Sequence, residues 1–462
     1  MDEITRRTAR DIAAGVHRRE VSAREVVEAH LIAIEAENPR LRALTAVFAD
    51  RARAAADRVD RAIGDGEAPG PLAGVPFSVK ESIDLTWSPT TQGWKGLAGA
   101  VPQADAAVVR RMRAAGAIPI GRGNMSDFGM RWDTDNDLFG RTLNPFDEAR
   151  SVYGSSGGDA VAVATGMAAI GLGNDFGGSI RLPASALGIA GLRPSFGRVP
   201  RAAVRDAGVA PTLQQFSVNG PLGRTVDDVA LALGVLQGVD PADPVSLAVP
   251  PRTAAELDAS PRRVGVVRDP LGWGVDADVA AGVERAAAAL ARAGWEVVDV
   301  DPPLLEEAAV LWRRLACTDM LLTLDEALLP VPLGRSAASF LRDSTAVARP
   351  YESAADYAAA WARRAVVAAA WRLLQVEIPL VLGPVSTRRT PERDFDLGGR
   401  EAADAAWRDL RLVVAVNFLG LPAVSVPSGA DRDGLPVGVQ LIGPLHADEL
   451  ALEAARSVES AA

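Results

Sequence analysis

The stretch from Gly154 to Ser179 reads GSSGGDAVAVATGMAAIGLGNDFGGS: a Gly/Ser cluster, an apolar run, then a second Gly/Ser cluster. Glycine permits sharp turns and close approach of the backbone to a ligand. Two such turns, each presenting a serine, flank a run whose small apolar residues read as a buried helix followed by a strand. This arrangement holds two hydroxyls toward one point. Serine is a weak nucleophile until a base activates it, so the rest of the chain is read for that base.

The chain has 462 residues, 48% of them apolar and 23% charged, with 43 Gly and 31 Pro. That composition suits a globular α/β enzyme with a sizeable core. A net charge of −10 argues against nucleic acid as a partner, because phosphate binding needs a basic face. Met1 to Gly15 is charged throughout and lacks a signal-peptide core, and no apolar run approaches the roughly 20 residues of a membrane span. Cys317 is the single cysteine, so no internal disulfide is possible. The expectation is a soluble cytoplasmic protein with no membrane partner. Lysine is scarce, with Lys80 and Lys95 the only two, and so is histidine, with His17, His30 and His446.

Outward from the central stretch, the chain reads as strands alternating with helices. Ser22 and Glu25 form a capping box ahead of a helix that should stop at Asn38-Pro39, and a second helix runs to about Ile63. Val75, Phe77 and Val79 alternate with Pro76, Ser78 and Lys80, as in a strand with unlike faces. A helix from Asp105 to Gly116, a strand from Ile118 to Ile120, a buried helix from Ser156 to Ala169 and a strand from Ile170 to Asn174 follow. Pro200 to Pro221 shows no strong periodicity, and Thr225 with Asp228 caps a helix to Leu236. Asp240 to Pro251 is the best linker candidate. Beyond it come a strand–helix–strand unit (Val264–Val267, Asp276–Ala293, Trp295–Val300) and a mostly helical stretch from Pro303 to Leu373. Buried strands are expected at Ile378–Leu382, Ala423–Val426 and Val437–Ile442, with a last helix from about Asp448.

Three familiar chemistries fail on supply. A Ser-His-Asp triad needs a histidine, and all three read as surface or helix-end residues, with no G-x-S-x-G elbow at Ser155 or Ser179. The glycines do not match a P-loop or a dinucleotide fingerprint. Asp133, Asp135 and Asp137 mimic the opening of a calcium loop, but Leu138 and Asn144 stand where glycine and the bidentate glutamate belong, so the run reads as a turn. What remains is serine activated by lysine, since burial can bring a lysine from about 10.4 toward 7–8. Lys80 ends an apolar strand, where ligand sites of open α/β sheets gather. On the residues alone it reads first as a partner for Glu81 or Asp84. Lys95, in a Gly-rich loop, reads as a solvated charge.

The segments PLAGVPFSVKESID (71–84), SVYGSSGGDAVAVATG (151–166), GLGNDFGGSIRLPASALGIAGLRPSFGRV (171–199), PLGRTVDDVALAL (221–233) and NFLGLPAVSVPSGADRDGLPVGVQLIG (417–443) resemble the amidase signature family. The resemblance covers nearly the whole chain and is weakest between about Asp240 and Ala415. It implies an α/β amidase-signature fold: a large mixed, mostly parallel β-sheet covered by helices on both faces, as one domain over 1–462. Within that domain it implies an N-terminal helical layer (1–63), a catalytic core (64–240), a region shaping the substrate entrance (252–400) and a return to the core (401–462).

The resemblance also implies a Ser-cisSer-Lys triad. Ser179 would be the nucleophile, Ser155 the relay behind a cis peptide from Gly154, and Lys80 the terminal base. The N–H groups of Phe176, Gly177, Gly178 and Ser179 would form the oxyanion hole, and Ser156, Asp175 and Arg181 would be structural supports. Gly129, Met130 and Trp132 would line the acyl pocket, suiting an apolar or aromatic acyl group, while the stretch from Pro303 to Asp396 shapes the entrance. Arg131 either greets a carboxylate or is exposed. No cofactor and no metal are implied. The partner is a small-molecule amide, and a homodimer is compatible with the family.

Some positions depart from the family's usual pattern: Tyr153 replaces a common glycine, Asp159 stands where small and acidic residues vary, and Glu81-Ser82 follow the lysine where Asp-Asn is frequent. The implied reaction is amide hydrolysis, with small aryl amides, fatty amides and amidated peptides undivided as substrates. The alternatives are a biosynthetic acyltransferase, an amidotransferase-type component of a larger complex and a catalytically silent binding protein.

Overall fold

The computed structural model describes residues 3–201, 209–324 and 329–461. Parts of the stretches read above at 200–221 and 303–373, namely 202–208 and 325–328, lie outside the described residues, as do Met1 and Asp2.

Among the described residues, eleven strands build one sheet: β1 (Leu44–Val47), β2 (Pro76–Lys80), β3 (Ile118–Gly123), β4 (Ile170–Asp175), β5 (Ala190–Arg193), β6 (Val218–Gly223), β7 (Arg263–Val266), β8 (Glu296–Asp299), β9 (Leu380–Pro384), β10 (Ala423–Ala430) and β11 (Pro436–Ile442). Their spatial order is β1-β3-β2-β4-β6-β5-β10-β11-β9-β7-β8. The sheet is mixed, as expected, but parallel pairing is confined to β3-β2-β4 near one end and β9-β7-β8 at the other. Every other junction is antiparallel. Helical crossovers explain β2–β3 and β7–β8, joined through helices Ala107–Ala114 and Ala277–Arg292, whereas β10 and β11 form a hairpin that must pair antiparallel.

β2 is buried along its whole length, rather than on one face as its alternation suggests. It lies between β3 and β4, and successive side chains point to opposite sides, so both faces of the sheet are covered here. Helix Ala23–Leu41 begins with the capping box at Ser22 and Glu25 and runs through Pro39 instead of stopping there. Pro39 falls in the last turn, where its missing N–H costs one bond, while Leu41 beyond it is fully buried.

β5 and β6 carry no readable alternation: AGLR and VNGPLG are buried on both faces and broken by glycine and proline. Their pairing with β4 and β10 binds the Gly154–Ser179 stretch to the C-terminal strands. No described helix is long and apolar enough to cross a membrane.

Candidate active site

The Gly154–Ser179 stretch folds as a turn, helix Gly157–Ala164, strand β4 and a second turn leading into helix Arg181–Leu187. The helix is small-sided and packs against β2, β3 and β4, which brings its N-terminal serines over the end of β2. The peptide between Gly154 and Ser155 is cis. Lys80, the last residue of β2, has no exposed surface.

Three oxygen atoms surround the Lys80 Nζ: Ser155 Oγ at 2.9 Å, Ser156 Oγ at 2.8 Å and Asn174 Oδ1 at 2.7 Å. Asn174 Oδ1 can only accept, and its Nδ2 donates to Ser82 Oγ at 2.6 Å. Ser156 Oγ donates to the Asn174 carbonyl at 3.3 Å, leaving its lone pairs for Lys80. Two Nζ–H bonds are thereby committed. In a neutral lysine the remaining direction, toward Ser155, carries the lone pair.

Burial pushes the Lys80 ammonium down, Asp159 and Asp175 oppose that, and Arg201 adds to it; the result is about 7. Sequence reasoning misses Asn174. Its place immediately before Asp175 at the end of β4, the strand beside β2, is the signal that could have found it.

Asp175 is fully buried and organises the second turn. It accepts from the N–H groups of Gly178 (2.8 Å) and Ile180 (3.2 Å), from Arg181 Nε (3.0 Å) and from Asn417 Nδ2 (2.8 Å). Burial alone would raise the Asp175 carboxyl, but the adjacent Arg181 overrides it and holds the group well below the usual carboxylate range. Arg181 reaches on to Gln440 Oε1 at 2.8 Å and the Val413 carbonyl at 3.0 Å, tying the turn to the C-terminal part of the chain.

This geometry corrects the expected oxyanion hole at one position. The Gly178 N–H is spent on Asp175, so Gly178 serves the turn through its backbone conformation, φ +98°, which an L side chain rarely adopts. The N–H groups of Phe176, Gly177 and Ser179 donate to no group among the described residues. Ser179 is buried, with slight exposure, at the edge of a narrow slot.

Aromatic side chains wall that slot: Trp132, Phe176, Trp312, Phe340 and Trp407, with Gly129, Met130, Cys317 and Met320. Trp132 stands edge-on to Trp407 at 4.7 Å and to Phe340 at 5.7 Å, and its Nε1 donates to the Gly177 carbonyl at 2.9 Å. Trp312 donates to the Phe176 carbonyl at 3.2 Å. The expected pocket residues Gly129, Met130 and Trp132 all line the slot. Trp312, Phe340 and Trp407 escape a sequence reading because they arrive from three separate helices. The unoccupied volume of the slot is only about 10 Å³. A chamber of about 310 Å³ opens on the other side of Gly129 and Met130, and Ser82, Ser155, Asn174 and Asp319 contribute to its wall.

Arg131 is neither exposed nor open to a ligand. It is buried and pairs with Asp396 at 2.7 Å and Asp394 at 2.9 Å. Asp133 and Asp135 neighbour the same guanidinium, and Asp133 also accepts from Ser151 Oγ at 2.7 Å, so the acidic run serves ion pairs. Tyr153 is buried edge-on against Phe395 at 5.6 Å, and its N–H donates to Ser151 Oγ at 2.8 Å. None of the three histidines contributes to the slot or the chamber. Lys95 is exposed.

This fold is that of an amidohydrolase, as the comparison with known proteins shows. The chain belongs to the Amidase family, whose model matches residues 25–452, and is an enzyme acting on C–N amide bonds. It is 36% identical over 457 residues to an indoleacetamide hydrolase of Bradyrhizobium diazoefficiens, an alignment covering 98% of this chain and 86% of that protein. It is 35% identical over 491 residues to a glutamyl-tRNA(Gln) amidotransferase subunit of Acidothermus cellulolyticus, covering 100% and 95% of the two chains. Among solved structures, 6-aminohexanoate cyclic dimer hydrolase complexed with substrate superposes with a TM-score of 0.86 at 30% identity, covering 100% of this chain and 98% of the other.

Proposed function

We propose that the protein hydrolyses a carboxylic amide bearing a flat aromatic acyl group, through an acyl-enzyme on Ser179. The observation that carries the reading is the buried Lys80 Nζ, 2.9 Å from Ser155 Oγ, in a setting that lowers its affinity for a proton. Neutral Lys80 takes the proton of Ser155 as Ser155 takes that of Ser179, and Ser179 Oγ attacks the carbonyl carbon. Negative charge developing on the carbonyl oxygen is met by the N–H groups of Phe176, Gly177 and Ser179, each such donor being worth about 3–4 kcal/mol. Ser155 then protonates the leaving nitrogen and the C–N bond breaks. Water attacks the ester, giving its proton back along the same relay, and the acid leaves.

Ser156 and Asn174 position Lys80, while Asp175 and Arg181 hold the turn that carries the donors. The resemblance to a hydrolase of indoleacetamide favours an aromatic acyl group, and the slot beside Ser179, whose walls are aromatic but whose free volume is only about 10 Å³, would open to admit its ring. A cytoplasmic location is part of this reading; the single cysteine, buried Cys317, asks for no oxidising compartment.

The test is a release assay on purified protein with aryl acetamides, fatty amides and amidated peptides, beside Ser179→Ala and a serine-directed phosphonofluoridate read by intact mass. Aryl amides turned over fastest, no turnover by Ser179→Ala and one adduct on Ser179 are expected. Wild-type turnover by folded Ser179→Ala overturns the nucleophile, and a preference for fatty amides overturns the substrate class. The similarity to a component of a tRNA-dependent amidotransferase favours a second reading, in which the chain works only with partner chains. Hydrolysis of simple amides by the chain alone discards it.

A further inference from the structure

Asp159 is a buried carboxylate for which the reaction above has no use. It lies in the first turn of helix Gly157–Ala164 with no exposed surface. Its Oδ1 accepts from Ser78 Oγ at 2.7 Å, and its Oδ2 has no hydrogen-bond partner among the described residues.

Ser78 and Lys80 are alternate residues of β2 and share one face of the strand, so Asp159 rests on the Lys80 side. The flanking strands make room for it. Gly123 on β3 stands beside Lys80 in the parallel register, and a Cβ there would come within 2.2 Å of Asp159 Oδ1. Gly171 on β4 stands beside Ser78, and a Cβ there would come within 3.0 Å of the Asp159 Cβ. The notch fits a carboxyl group and little more.

A buried carboxylate with an open oxygen requires a cation nearby or a proton. The charged groups around it are Lys80 from β2 and Arg122 from β3. Arg122 is turned elsewhere: it donates to the Ile83 carbonyl at 2.6 Å and the Pro89 carbonyl at 3.0 Å, and lies 3.6 Å from Glu81. Lys80 makes its own hydrogen bonds only to neutral oxygens, and the other charges acting on it are Asp175 and Arg201.

We propose that Asp159 is a positioning residue for the reaction, its carboxylate holding the positive charge on Lys80 and so setting the pH above which Lys80 becomes a base. The proposal rests on the reading of Lys80 as that base. Asp159 is the largest influence opposing the burial of Lys80, and burial in turn pushes the Asp159 carboxyl up to about 7. With Asp159 neutralised, Lys80 keeps its desolvation but loses the largest charge opposing it, so it sheds its proton at lower pH.

The experiment is the pH profile of kcat/KM for wild type, Asp159→Asn, Ser78→Ala and Lys80→Ala on one amide, each variant checked for folding by thermal unfolding. In Asp159→Asn the acid limb should move down, the variant outpacing wild type several-fold around the limb and converging with it at lower pH, where Asp159 carries its own proton. Ser78→Ala, which removes only the bond anchoring the carboxylate, should move the limb the same way by less. It carries the test if Asp159→Asn fails to fold. An acid limb that stays in place or moves up in the folded variants, with Lys80→Ala inactive, overturns the role of Asp159 alone. Wild-type turnover by Lys80→Ala overturns the base itself.

Discussion

Lys80 Nζ lies 2.9 Å from Ser155 Oγ, at the end of a strand with no exposed residue and with only neutral oxygens as hydrogen-bond partners. An ammonium in that position lacks both water and a direct carboxylate contact, which is why its proton is loosely held.

The first expectation concerns pH. Burial outweighs the attraction of Asp159 and Asp175 and lowers Lys80 to about 7. Below that value Lys80 carries its proton and cannot accept another from Ser155. kcat/KM for amide hydrolysis should therefore rise with pH through about 7 and level off above it. A flat profile between pH 5 and 9 would contradict a titrating Lys80.

Asn174→Ala removes the acceptor that commits one Nζ–H bond and frees Lys80 to turn its lone pair away from Ser155. Positioned proton transfer contributes about 10²–10⁴-fold, so kcat should fall by about tenfold to a hundredfold in a folded protein. Steady-state kinetics on the purified variant give the answer, and an unchanged kcat removes Asn174 from the relay.

Gly129→Ala tests the wall beside the relay. A Cβ there would come 2.9 Å from Ser155 Oγ, at a backbone φ of +69° that favours glycine. The substitution removes no chemical group, yet turnover should fall at least tenfold, because small misplacements of reacting atoms are costly. Retained turnover would mean that Ser155 has room to spare.

Phe340→Ala opens the slot where its ring meets Trp132 at 5.7 Å. Relative kcat/KM should shift at least tenfold toward bulkier aryl acyl groups, measured by competition between a small and a large aryl amide. The same variant should lose about 3–5 kcal/mol of stability, as truncation of a buried phenylalanine does. Unaltered selectivity would assign the acyl group to the larger chamber.

Arg131→Met leaves the buried carboxylate of Asp396 without its partner. Breaking a buried pair from one side costs about 3–5 kcal/mol. The urea midpoint should fall accordingly, and a stability within 1 kcal/mol of wild type, read against that range, would show that the neighbouring Arg141 absorbs the loss.

Sequence alone determined what is written in local chemistry. The apolar run ending in Lys80, the two serine-bearing turns and the capping boxes at Ser22 and Thr225 are short-range patterns, and each holds in the folded chain. The absence of a histidine within any recognisable motif left lysine as a candidate base, and only the resemblance to the amidase signature family joined it to the two serines.

Tertiary structure decided what depends on segments distant in the chain. β5 and β6 carry no alternation because both of their faces are buried, so their antiparallel placement follows from their neighbours. Trp312, Phe340 and Trp407 converge on one slot from separate helices. Arg131 looks like a surface charge until Asp396, far along the chain, meets it in the interior. Gly178 shows the same division within a single turn. Its glycine is legible in the sequence, but only the fold turns its N–H to Asp175 and leaves the N–H groups of Phe176, Gly177 and Ser179 without a partner among the described residues. A hydrogen bond in a crowded interior is settled by competition among partners, and those partners become neighbours only once the chain has folded.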